Sequence, residues 1–79
     1  VRPAYTLSAR MNGVQGVVLV RLRFGSDGFI RQIGVVKGLP DGLVGQVIFA
    51  VLRMKFLPEE RSGKPVDIEK QLEYGFALY

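Results

Sequence analysis

Three features of the sequence predict a small α+β domain. Residues 16–24, GVVLVRLRF, alternate in the manner of a half-buried strand. Asp27-Gly28 sits between this run and a second β-type run, which signals a hairpin. An apolar stretch with helical spacing over 43–55 then gives way to an alternating stretch over 66–79. With a short helix ahead of them, these elements read α-β-β-α-β. They predict a three-stranded antiparallel sheet in the order 2-1-3, with both helices on one face.

The first helix is expected over 5–12, YTLSARMN, with Leu7 and Met11 on one face and Gly13 as a C-terminal stop. It is short enough to need tertiary packing. In the first strand Val18, Val20, Leu22 and Phe24 share the core face, while Val17, Leu19, Arg21 and Arg23 share the other. The return strand is FIRQIGVVK, 29–37. Its step of three from Ile30 to Ile33 breaks the alternation, and one extra residue between them restores it, so a β-bulge is expected there. Residues 38–43 form a loop in which Asp41 is the candidate N-cap.

The second helix is expected over 43–55, with Val44, Val47, Ile48, Val51 and Met54 on its buried stripe. A short buried strand over VGQVIFAVL is the competing reading, and the length of the pattern favours the helix. Pro58 is expected to stop it, and Gly63-Lys64-Pro65 to turn the chain into the last strand. Glu59-Glu60-Arg61 between them reads as a solvated loop rather than a catalytic pair. In the last strand Val66, Ile68, Leu72, Tyr74, Phe76 and Leu78 share a face that Lys70 interrupts. Lys70 is either a snorkelling side chain or a partner contact.

The helical crossover makes the third strand antiparallel to the first. Placement beside the first strand sets Arg21 and Arg23 against Asp67, Glu69 and Glu73. Placement beside the second, with Arg31 and Lys37, also gains some complementarity. In the 2-1-3 order the third strand is an edge with unpaired backbone groups, the kind that recruits other strands unless guarded.

Composition limits the function. The 79 residues allow one domain, 1–79, and Val1 in place of Met, with Arg2 and Pro3 reading as the end of a linker, suggests one cut from a longer protein. The absence of cysteine and histidine excludes a disulfide framework, a thiolate nucleophile, a Cys/His zinc site and a histidine triad. The net charge is +4, but the eleven basic residues are scattered singly and no nucleic-acid motif is present. No enzyme, cofactor or metal is expected.

The chain resembles the C-terminal domain of the TonB family of energy transducers. The resemblance begins at Pro3-Ala4-Tyr5 and runs through GVQGVVLVRLRFGSDGFIRQIGVVKG and LPDGLVGQVIFAVLRMKFLPEERSGKPV into the terminal strand. Ala50-Val51, Phe56, Pro58 and Gly63-Lys64-Pro65-Val66 fall where the family carries its helix end and its turn into the last strand. Order and spacing carry the likeness more than any single motif. The chain departs from the family pattern at Thr6, Met54, Glu59 and Lys70.

This resemblance implies a periplasmic domain anchored to the inner membrane through an N-terminal segment. It implies as partners the TonB box of outer-membrane transporters and, through that N-terminal segment, inner-membrane proton-channel proteins. The implied docking strand supplies Val66, Asp67, Ile68, Glu69, Lys70, Gln71, Leu72, Glu73 and Tyr74, with Glu69, Gln71 and Glu73 tuning selectivity. Tyr5 and Arg10 are implied to lie near the partner. The alternatives are an envelope scaffold of the same fold that does not energise transport, and a homodimer formed by edge-strand pairing.

Overall fold

The computed structural model describes residues 3–78. The chain forms α1 (Leu7–Met11), β1 (Gly16–Phe24), β2 (Ile30–Lys37), α2 (Leu43–Leu52), β3 (Glu59–Arg61), β4 (Lys64–Val66) and β5 (Ile68–Phe76). The main sheet has the order β2-β1-β5 and is antiparallel throughout. This is the expected 2-1-3 arrangement. A separate two-stranded sheet, β3-β4, was not expected.

The core is built on β1. Val18, Val20, Leu22 and Phe24 are buried on one of its faces, because alternation sends every second side chain inward. Ala9 of α1, Leu43, Val47 and Val51 of α2, and Phe76 of β5 complete the buried cluster. Met54 and Phe56 extend it beyond α2, and the ring of Phe56 meets that of Phe24 edge-on at 4.8 Å.

The bulge falls where the spacing placed it. Phe24 pairs with Ile30 and Arg23 with Gln32, so Arg31 is the extra residue. A second irregularity leaves Val36 without a partner between Val35 and Lys37. The first bulge keeps Ile30 and Ile33 opposite Phe24 and Leu22, on the helix-covered side.

Several expectations are corrected. In α1 the buried residue is Ala9, whereas Leu7 and Met11 are exposed. The helix is held by its cap: the Thr6 hydroxyl accepts from the Ala9 amide at 3.0 Å and donates to the Asp41 carbonyl at 2.6 Å. Asp41 does not cap α2. It and Gly42 take left-handed conformations, so Gly42 is the N-cap, and the Asp41 carboxylate accepts from Asn12 instead. Leu43 and Ala50 join Val47 and Val51 as the buried residues of α2, with Val44 and Ile48 only half-buried.

Helix α2 ends at Leu52, well before Pro58, because residues 53–58 run irregularly along the core. Ser62 and Gly63, both with positive φ, make the tight turn of the β3-β4 hairpin, while Lys64 and Pro65 lie within β4. Glu59-Glu60-Arg61 is therefore a strand of that hairpin, with all three residues exposed. The long last strand is shorter than its pattern: Val66 belongs to β4, Asp67 to neither strand, and β5 stops at Phe76. Tyr79 lies outside the described residues.

Replacing Leu22, fully buried at the centre of β1, by alanine is expected to cost about 2–5 kcal/mol in urea unfolding. Replacing Leu57, 93% exposed, is expected to change stability by less than about 0.5 kcal/mol. Equal losses would contradict this placement of the core.

Candidate edge-strand binding site

The two edges of the main sheet differ. Strand β2 is interrupted twice, at Arg31 and Val36, and such bulges twist an edge away from regular pairing. Strand β5 keeps an unbroken register against β1, from Gly16↔Phe76 to Phe24↔Ile68. Among the described residues no strand pairs with the other side of β5. Its outward backbone groups therefore form a regular ladder of roughly 27 Å, the span of eight residue steps.

Opposed residues share a face, so the register sorts the side chains of β5. Ile68, Lys70, Leu72 and Tyr74 lie opposite the buried Phe24, Leu22, Val20 and Val18. Glu69, Gln71 and Glu73 lie opposite Arg23, Arg21 and Leu19, on the face without helices. The expected charge ladder is thinner than the pattern implied. Of the expected pairs only Arg23–Asp67 comes within ion-pair distance among the described residues, at 3.7 Å, while Arg31 pairs with Asp27 and Glu73 faces leucine.

At the Phe76 end of β5 an open groove of about 810 Å³ brings together Tyr5, Arg10, Glu73 and Tyr74. Tyr5 organises this corner. Its ring meets Phe76 edge-on at 5.4 Å, its hydroxyl donates to the Val14 carbonyl, and the Arg10 guanidinium lies 5.3 Å from its ring centroid. The Leu78 amide donates to the Gln15 side chain at 3.1 Å and ties down the chain after β5. Tyr74 lines the groove, and burial raises the pKa of its phenol. Gly75 also lines the groove, and a Cβ built there would have no neighbour within 4 Å.

The remaining candidates lie at the far end. Val66 is half-buried in the hairpin arm, and Asp67 joins that arm to β5. The Asp67 carboxylate accepts from the Ser26 amide at 2.7 Å and faces Arg23. It therefore latches the β1-β2 turn to the start of β5. The Ser26 hydrogen bond is the main reason that its pKa lies below the ordinary aspartate value, with Arg23 and Arg31 adding to the effect. Phe76 and Gly75 were not singled out as site residues by sequence. The ring anchor was counted only as core, and a glycine inside an alternating strand, a sign of close backbone approach, is the signal that was available.

The chain matches the family model described as the Gram-negative bacterial TonB protein C-terminal, over residues 1–78. The chain belongs to the TonB C-terminal domain family. No curated protein matches it by sequence. Among solved structures, the solution structure of the TonB C-terminal domain of Helicobacter pylori is similar, with a TM-score of 0.73 and 23% identity. The alignment covers 98% of this chain and 70% of that one. At this identity the likeness concerns the fold, and the TonB fold is what the β2-β1-β5 sheet with its two helices reproduces.

Because the folded-state pKa of Asp67 is depressed, its stabilising contribution is present above the ordinary aspartate pKa and is lost as pH falls through the lower, folded value. Asp67→Asn should therefore be less stable than the native domain at neutral pH, and the gap should close in acid. Urea unfolding across that range checks this. A gap independent of pH would contradict the latch.

Proposed function

We propose that this TonB-family domain binds an extended peptide by strand addition to the open edge of β5. The observation that carries the reading is the contrast between the edges, one bulged twice and the other regular along all nine residues of β5. Strand addition draws affinity from backbone hydrogen bonds and selectivity from alternating side chains. Here Glu69, Gln71 and Glu73 line one side of the incoming segment, and Ile68, Lys70, Leu72 and Tyr74 the other. The groove beside Tyr5 and Arg10 receives the part of the segment that passes Phe76.

In this reading the domain works in the periplasm, tethered to the inner membrane by a segment N-terminal to it. The peptide is the TonB box of an outer-membrane transporter, and pull on that peptide carries energy from proton-channel partners. The domain acts as a mechanical coupler and carries out no chemistry of its own.

The same edge admits a second reading, pairing of two copies. Charge works against two of its registers. A two-fold antiparallel pairing centred on Lys70 opposes ammonium to ammonium, and one centred on Gln71 opposes Glu69 to Glu73. Pairing centred on Leu72 escapes both clashes.

Titration with transporter N-terminal peptides is expected to shift the amides of residues 68–76 and to spare 24–37. Shifts confined to the β1-β2 hairpin would sink the proposal, and a mass that doubles with concentration while peptides leave β5 unmoved would favour self-pairing. Gly75→Leu should leave stability unchanged or raised, since a Cβ there has no neighbour within 4 Å, while weakening peptide binding severalfold by narrowing the groove. Unchanged peptide affinity in a folded Gly75→Leu domain would remove the groove from the binding path.

A further inference from the structure

We propose that Lys70 dictates the charge pattern of the segment that β5 accepts, an inference that rests on β5 being a strand-addition edge. The favoured segment carries a carboxylate side chain directly opposite Lys70. Apolar residues stand two positions to either side of that carboxylate, and a basic residue stands opposite Glu69.

Lys70 is out of keeping with its face. Its cross-strand partner is Leu22, which is fully buried, and its neighbours along the same face, Ile68 and Leu72, pack against the core. Lys70 itself is exposed. Among the described residues no carboxylate lies within ion-pair distance of it, because the ion pairs formed are Arg23–Asp67 and Arg31–Asp27. Glu69 and Glu73, its neighbours in sequence, point to the opposite face of the strand. These two carboxylates likewise have no cation within ion-pair distance among the described residues.

An added strand sets one side chain directly beside each residue of β5, with Cβ atoms about 4.5–5.5 Å apart. Beside Lys70 a carboxylate is attracted and a second cation repelled. Beside Glu69 the preference inverts, and beside Ile68 and Leu72 an apolar side chain covers apolar surface. The two faces of one strand thus ask for opposite charges at adjacent positions. A segment slipped by one position, or one with its two charge types exchanged, meets like charge at Lys70 or at Glu69.

The probe is a short peptide with the core Val-Lys-Glu-Lys-Val flanked by threonines. The core reads the same in both directions, so it presents the pattern to residues 68–72 whether it adds parallel or antiparallel. Val-Glu-Lys-Lys-Val, of identical composition, controls for net charge, and Val-Lys-Lys-Lys-Val reverses the central residue. At low ionic strength the native domain is expected to bind the first core tighter than the other two by roughly threefold or more, with amide shifts on β5. Lys70→Glu should invert the order of the Glu-centred and Lys-centred cores, and Lys70→Gln should flatten it. Added salt should shrink the preference. Equal affinities with shifts still on β5 overturn the role of Lys70 and leave strand addition standing. Lys70→Gln that promotes self-association without changing peptide preference reduces Lys70 to an edge guard and overturns it as well. Shifts that avoid β5 for every peptide sink strand addition and this inference with it.

Discussion

Strand β1 forms hydrogen-bonded ladders with strands on both of its edges, and it carries four buried side chains on one face. No other element meets both conditions. A central strand needs an unbroken apolar face, and Val18, Val20, Leu22 and Phe24 supply it. Both helices must then cover that face, and β2 and β5 must occupy its flanks. The crossover through α2 carries the chain to the free flank of β1, so β5 closes the sheet on that side and has no further partner among the described residues.

What separates β5 from β2 is regularity. The two bulges of β2 preserve its inward residues at the expense of its ladder. Strand β5 needs no such adjustment. Tyr5 against Phe76 and Gln15 at Leu78 hold its end, and Asp67 on Ser26 holds its start. An edge fixed at both ends presents its backbone groups already ordered, which lowers the entropy lost when a peptide docks. The β3-β4 arm adds length without adding core: its residues are exposed apart from half-buried Val66, and the molecule measures 49 × 19 × 19 Å.

The sheet order and the bulge near Arg31 were legible in the sequence, the first from the helical crossover and the charges of the facing strands, the second from the step of three between Ile30 and Ile33. The hairpin at 59–66 was not. Three-residue strands are too short to show alternation, and the charges of Glu59, Glu60 and Arg61 read equally well as a loop. Helix bounds and caps were misjudged for a related reason. Thr6 and Asp41 are both good caps in isolation, and only the contact between α1 and the entry to α2 decides that Thr6 caps while Asp41 ties the two together. At the candidate site, alternation placed Ile68 to Tyr74 on their faces, but the carboxylate of Asp67 turned out to be occupied inside the fold. The corner formed by Tyr5, Arg10 and Phe76 brings together residues more than sixty positions apart, and it rests in sequence on family resemblance alone.

Amide hydrogen exchange along β5 tests the central claim most directly. In the free domain the account predicts two alternating classes: amides bonded to β1 exchange slowly, and those pointing away from it exchange fast. A saturating peptide should slow the fast class and leave the slow class nearly unchanged. Uniform protection of β5 in the free domain, or a fast class that stays fast when peptide is bound, would contradict an open edge that works by strand addition.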